Sequence, residues 1–135
     1  MTSLPSGRSG YVSDEKYLTA LKADRQELRR RLASTAFGQV DALLFPITPC
    51  AAPRIENQWK FQVGGKDVTD IFLSRNTHPS SCAGVPGISL PMALNSEGLP
   101  LGLELDAAVG RDRDLLGLPR RVEQVIGRVP GPSGF

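Results

Sequence analysis

The chain has 135 residues, of which 40% are hydrophobic and 22% charged, an ordinary composition for a globular protein. That length fits a single domain with a small core. Sixteen basic residues are offset by 14 acidic ones, and the net charge of +2 is too small to indicate a nucleic-acid-binding surface. The sequence has no apolar run of bilayer length and no secretory signal at its start, so we expect a cytoplasmic protein without a membrane partner.

The cysteines and the single histidine do not form a metal-binding pattern. Cys50 and Cys82 lack metal-site or redox-motif spacing, and we expect two reduced thiols rather than a disulfide. With one histidine, no zinc site is predicted, and no cofactor is expected. The Gly-, Pro- and Ser-rich ends, residues 1–10 and 130–135, are expected to be flexible and to flank one domain at residues 11–129.

The first predicted element is an amphipathic helix of about six turns. Ser13 can cap its start, since its hydroxyl can accept from a free backbone N–H, and Gly38 is the expected stop. Apolar residues recur at helical spacing: Tyr17, Leu18, Leu21, Leu28 and Leu32. Basic residues are expected on a solvated face that has no function of its own: Arg25, Arg29, Arg30 and Arg31.

A short apolar run at residues 42–45, ended by Pro46, predicts a strand buried on both faces. The strand leads into Thr48, and ligands usually lie at the carboxyl ends of strands in open α/β sheets. Thr48 is therefore a candidate pocket-wall residue. An equally good interpretation is that Thr48 only satisfies a turn between two prolines.

Residues 51–69 predict a surface excursion with its own hairpin. Gly64 and Gly65 accommodate the positive φ angles of a tight two-residue turn. The excursion could be a lid or specificity loop, although a plain surface loop is the simpler interpretation. Trp59 and Phe61 near its base are expected to dock it onto the body of the domain, with contact to an aromatic substrate as the alternative.

The second half of the chain predicts a short helix from Asp70, two strands and a last helix. Apolar residues alternate along both strands: Ile88, Leu90 and Met92, then Leu101, Leu103 and Leu105. Pro91 has no N–H to donate and predicts an edge or a bulge. The last helix is predicted over residues 112–126, kinked or split at Pro119 and stopped by Gly127. The side chains expected to face inward are Leu115, Leu116, Leu118, Val122, Val125 and Ile126.

The run Arg-Asn-Thr-His-Pro at 75–79, followed by Ala-Gly-Val-Pro-Gly at 83–87, resembles the C-terminal part of the amidase-signature family of serine amide hydrolases. The resemblance extends over about residues 7 to 130 and looks closest to indoleacetamide and mandelamide hydrolases. It implies that residues 11–129 are the C-terminal part of such a domain. The fold class expected is α/β, a partial mixed sheet of the amidase-signature fold with packed helices.

The family's catalytic groups have no counterpart in this sequence. In the family, a Gly/Ser-rich segment carries the nucleophilic serine and a cis-bonded serine, and a lysine precedes it. The resemblance implies that residues 76–87 and the strand end at Thr48 border the substrate cleft of a complete enzyme. The predicted pocket-wall residues are therefore Thr48, Asn76, Ala83 and Gly84.

Four other side chains could carry chemistry, and none is assigned a catalytic role. Ser80 and Ser81 lack surrounding glycines and are expected to cap a turn. His78 could be a general base but has no nucleophile beside it in sequence, so a solvent-facing loop residue or a capping donor is expected. Cys82 has only Arg75 as a nearby positive charge in sequence and is expected to be a buried, inert thiol.

Three functions follow from these observations. The favoured one is a C-terminal fragment of an amide hydrolase, inactive alone, whose parent enzyme uses a small or aryl-acetamide-type substrate. The second is a complementing or regulatory subunit that docks onto an amidase chain carrying the catalytic serines. The third is an independent hydrolase that uses His78 or Ser81. Because the predicted sheet is incomplete, we expect a fragment expressed alone to self-associate or to remain partly molten.

Overall fold

The computed structural model describes residues 12–131. A long first helix occupies residues 14–36, and Ser13 caps it as predicted, with the backbone N–H of Lys16 donating to Oγ at 3.4 Å. The α-helical segments Asp14–Thr19 and Arg25–Arg31 alternate with π-helical turns at Ala20–Asp24 and Leu32–Ala36. None of residues 14–36 is fully buried, so this helix lies on the surface.

Three antiparallel strands form the main sheet: β1 (Leu43–Pro46), β4 (Gly87–Leu94) and β5 (Pro100–Asp106). Their order in the sheet is β1–β5–β4. The expectation that β1 is buried on both faces is wrong, because β1 lies at an edge of this sheet and Leu44 is 53% exposed. The central strand β5 is the buried one and carries Leu103 and Leu105 into the interior.

The expected irregularity at Pro91 is confirmed. The register of β4 against β5 shifts between Pro91 and Ala93. The shift occurs in an edge strand, which is hydrogen-bonded to a neighbour on one side only. A proline, which has no N–H to donate, is tolerated best in such a strand.

The excursion contains the predicted hairpin, β2 (Lys60–Val63) and β3 (Lys66–Thr69). Gly64 and Gly65 have φ angles of +56° and +76° in the turn between them. Short 3-10 helices flank the hairpin at Ile55–Asn57 and Asp70–Ser74. Trp59 is 70% exposed, so the expectation that it docks the excursion onto the domain is wrong, whereas Phe61 is half-buried.

The last helix, Asp112–Ile126, packs on the sheet and completes the core. Leu115, 3% exposed, contacts a buried cluster made by Leu90, Leu105 and Ala107. Leu116 and Val125 are solvent-exposed rather than inward, because only one face of a helix can meet the sheet. The helix runs through Pro119 without a break and ends at Gly127, whose φ is +81°.

The expected flexible ends lie largely outside the described residues. Within residues 12–131, no helix combines the length and apolarity that a bilayer crossing requires.

Candidate functional site

A short helix, His78–Ala83, lies within the segment expected to border a cleft. Gly84 ends it in the left-handed conformation, with φ +66°. The N–H of Gly84 donates to the Ser80 carbonyl at 2.8 Å, and the N–H of Val85 donates to the same carbonyl at 3.2 Å. This pattern is the turn that glycine commonly makes after a helix, and it sends the chain directly into β4.

Two arginines of the first helix hold the end of this short helix. Arg25 Nε donates to the Cys82 carbonyl at 3.0 Å, Arg29 Nε donates to the Ala83 carbonyl, and Arg29 Nη2 lies 3.4 Å from the Gly84 carbonyl. The expectation of a purely solvated basic face is therefore wrong for these two. A clue in the sequence was their spacing of four residues, which places both on one side of the helix.

The neighbouring arginines behave as the sequence predicts. Arg30 and Arg31 both pair with Glu27 on the exposed helix face, at 2.8 and 2.7 Å. Hydrogen bonds from Arg30 and Arg31 lower the pKa of Glu27 to about 2.

Asn76 joins the short-helix segment to the end of β1. Its Nδ2 donates to the Pro46 carbonyl at 2.8 Å. Thr48 lies two residues after Pro46. Its Oγ1 donates to the Cys50 carbonyl at 2.7 Å, a hydrogen bond within its own turn. The segments carrying these two predicted residues are thus linked at the Pro46 carbonyl.

Thr48 also lines an open groove of about 290 Å³ at the end of β1. The walls of this groove are mainly apolar: Pro46, Pro49, Cys50, Ala51, Met92, Leu101 and Gly102, with Asn95. A second groove of about 300 Å³ lies between residues 50–54 and the hairpin, and Cys50 and Ala51 line both. Burial raises the pKa of the Cys50 thiol, which favours the protonated, weakly nucleophilic form.

The other predicted pocket-wall residues do not line these grooves. Ala83 is completely buried, and Gly84 faces the guanidinium groups of Arg25 and Arg29. The four predicted residues therefore occupy one region of the fold without forming a single surface.

Among the described residues, one hydroxyl lies within hydrogen-bond distance of the imidazole. Ser74 Oγ is 3.1 Å from Nε2 of His78, and the same hydroxyl donates to the Ile71 carbonyl at 3.0 Å. A hydroxyl has one proton, and the tautomer of His78 decides whether Ser74 accepts from Nε2 or donates to it. The Ile71 carbonyl competes with the imidazole for this proton, and all three groups belong to one local turn.

Two expectations for the short helix are wrong. Ser80 and Ser81 lie inside the helix rather than at a capping position, with Ser80 buried and Ser81 exposed. Cys82 is exposed rather than buried, and it is a free thiol like Cys50. In the helix at residues 78–83, Ser80 and Ala83 are three positions apart and share the buried face, which leaves Ser81 and Cys82 exposed.

Two carboxylates meet over Gly87 on the face of the sheet. A Cβ built on Gly87 would lie 2.6 Å from Glu104 Oε1 and 2.7 Å from Asp106 Oδ1. Ser89 donates to Glu104 at 2.7 Å, whereas Asp106, 1% exposed, has an Oδ2 without a hydrogen-bond partner in the described part of the chain. Burial raises the pKa of Asp106, the Ser80 hydroxyl counteracts this, and the charge of Glu104 adds to it.

Sequence reasoning did not identify Asp106, because its burial depends on contacts between β5, β4 and the short helix.

Within residues 12–131, no three His, Cys, Asp or Glu side chains come together as a metal site would require.

The family model described as Amidase matches residues 3–116. The chain is 37% identical over 121 residues to indoleacetamide hydrolase from Agrobacterium vitis. The aligned region covers 85% of this chain and 25% of that relative. It is 35% identical over 126 residues to mandelamide hydrolase from Pseudomonas putida, and the aligned region covers 89% of this chain and 23% of that relative. A crystal structure of an amidase superposes with a TM-score of 0.76 at 32% identity, covering 86% of this chain and 26% of that one. The chain thus spans about a quarter of the length of these relatives.

Proposed function

The chain belongs to the amidase family, and from this membership we propose that it supplies the C-terminal, cleft-bordering part of an amide hydrolase and hydrolyses no amide by itself. The family resemblance and the α/β fold class predicted from the sequence are confirmed. The catalytic serines and lysine of the proposed enzyme come from the part that this segment does not match. The substrate class is a small or aryl-acetamide-type amide, by analogy with the indoleacetamide and mandelamide hydrolases.

One observation carries the proposal. In residues 12–131 the one hydroxyl within hydrogen-bond distance of the imidazole, that of Ser74, also contacts the Ile71 carbonyl, which competes for its proton. Amide hydrolysis without a metal takes a nucleophile, a base and donors for the oxyanion, and a hydroxyl shared with a backbone carbonyl is poorly placed to be that nucleophile. The same geometry argues against an independent hydrolase that uses His78 or Ser81.

We propose Thr48, Asn76, Ala83 and Gly84 as residues that shape the cleft of the complete enzyme. The bond from Asn76 to Pro46 supports this role, because it ties the short-helix segment to the strand end that carries Thr48. Ala83 and Gly84 would act through the backbone, since one side chain is buried and the other absent. The free thiols Cys50 and Cys82 support a cytoplasmic location.

The second candidate is a complementing subunit that docks onto a separate chain carrying the catalytic serines. Two features support it. β1 and β4 each pair on one side only, so a strand of the partner could pair with either of them. Leu44 on β1 is exposed, and an apolar surface of the partner would cover it. Association of the chain with itself would cover the same surfaces.

Complementation tests the proposed function. The mandelamide hydrolase relative is truncated to remove the quarter that matches this chain, and the two polypeptides are expressed together. We expect each part alone to be inactive and the pair to release ammonia from mandelamide. A pair that co-purifies but does not hydrolyse mandelamide or indoleacetamide would contradict the proposal.

A further inference from the structure

We propose that Arg25 and Arg29, the arginine clamp, are positioning residues that hold the end of the short helix and the turn at residues 84–87 against the first helix. The clamp itself is inferred from contacts within this chain. Its effect on a substrate rests on the proposed function, in which this turn borders the cleft.

The carbonyl groups at the end of the short helix need the clamp. The last carbonyls of a helix have no partner within it. Here the carbonyls of Ser80 and Ser81 accept from the N–H of Gly84, at 2.8 and 3.1 Å. The next three carbonyls, at residues 82–84, receive the guanidinium donors described above.

Arginine suits this task for two physical reasons. A positive charge is favourable at the C-terminal end of a helix, where the carbonyls carry partial negative charge. The planar guanidinium also offers several N–H donors in a fixed geometry, which allows Arg29 to contact two successive carbonyls. In the described part of the chain neither Arg25 nor Arg29 forms a salt bridge with a carboxylate, so the backbone carbonyls are their partners.

Gly84 gives the clamp the space it occupies. A Cβ at this position would overlap Arg25 Nη2 and lie 3.2 Å from Arg29 Nη2. Gly84 thus combines a left-handed φ angle with close approach of two guanidinium groups. Both requirements are met at the residue that starts the turn into β4.

The chain provides a matched control for the clamp. Arg30 lies on the same helix and is paired with Glu27 instead of the short helix. Replacing Arg30 removes an equal charge and a similar side chain without touching residues 82–84. A difference between Arg29 and Arg30 variants therefore isolates the carbonyl contacts.

Hydrogen exchange of the Gly84 and Val85 amides, followed by NMR on the whole chain, tests the clamp. We expect R25M/R29M to accelerate exchange at these two amides by about tenfold, since hydrogen bonds to charged donors are the stronger kind. Amides of β5 should keep their rates. The single variant R29M should also accelerate exchange at Gly84 and Val85, whereas R30M, which removes the same charge, should match the wild type. Arg29→Lys should fall between R29M and the wild type. Unchanged rates at Gly84 and Val85 in R25M/R29M, or equal acceleration in R30M, would overturn the clamp.

If R25M/R29M does not fold, the exchange rates of the Arg29→Lys variant provide the test. Acceleration confined to Gly84 and Val85 supports the clamp, and uniform acceleration that includes β5 overturns it.

Exchange does not depend on amide hydrolysis, so a failed complementation with fast local exchange in R25M/R29M refutes the proposed function and leaves the clamp standing. In an active complemented enzyme, Arg29→Met should lower kcat/KM by about tenfold relative to Arg30→Met, and Arg29→Lys should restore part of it.

Discussion

Asn76 donates from Nδ2 to the carbonyl of Pro46 at 2.8 Å, across 30 positions of the chain. This bond joins the segment before the short helix to the end of edge strand β1. It connects the two sides of the proposed cleft border. Its loss should therefore loosen the Thr48 end of the sheet.

We expect Asn76→Ala to lower the free energy of unfolding by ~1 kcal/mol, the usual worth of such a hydrogen bond. Asn76→Asp should cost more, because it removes the donor and places a carboxylate against a carbonyl. Urea denaturation followed by circular dichroism measures both. Asn57→Ala is the control, since the Asn57 side chain makes no hydrogen bond among the described residues, and an equal loss in that variant would refute the role of Asn76.

The buried carboxyl of Asp106 predicts a pH-dependent stability. Its folded pKa is raised above the ordinary value of 3.8, chiefly by burial, so the folded state favours the protonated form. The stability contributed by this group is fully present below the unfolded pKa and is lost as pH rises through the folded pKa.

Asp106→Asn should remove this loss. Relative to wild type, the variant should gain stability progressively as pH rises above about 4, and it should be at least as stable at pH 7. The difference in Tm between the two proteins across pH 4 to 8 is the measurement. A difference that does not change with pH would show that Asp106 titrates normally in the folded chain.

The small core depends on Leu115, which packs between β4, β5 and Ala107. Leu115→Ala should lower the free energy of unfolding by ~2–4 kcal/mol, because it leaves a cavity as well as removing apolar contact. The adjacent Leu116 is 68% exposed, and Leu116→Ala should change stability by no more than ~0.5 kcal/mol. Denaturation midpoints of the two variants give the comparison. Equal losses would mean that the last helix does not pack as described.

Local sequence signals predicted most elements well. Helix caps and positive φ angles depend on only a few neighbouring residues. The predicted ones are confirmed at Ser13, Gly64, Gly65 and Gly127. The alternation along β4 and β5 was equally informative, because period-two burial is a property of the strand itself.

The errors came from contacts between elements distant in sequence. Whether β1 is an edge strand depends on which strands lie beside it, and the apolar run at residues 42–45 does not carry that information. Leu116 and Val125 fit a broad apolar helix face, but the sheet covers only part of it.

The site was less predictable than the fold. Asn76 was selected by resemblance, and its partner Pro46 was not foreseeable from spacing. Arg25 and Arg29 looked like a solvated face because their acceptors are carbonyls more than 50 positions away. Backbone acceptors are present at every residue, so sequence gives no signal for which of them a side chain meets.

The most direct test of the account is an assay of the purified chain for ammonia release from mandelamide and indoleacetamide. The Ile71 carbonyl competes with His78 for the Ser74 hydroxyl proton, so we expect no activated nucleophile within the described residues. We predict release no faster than in buffer alone. Steady turnover that follows the protein through size-exclusion chromatography and is abolished by Ser74→Ala or Ser81→Ala would contradict the account.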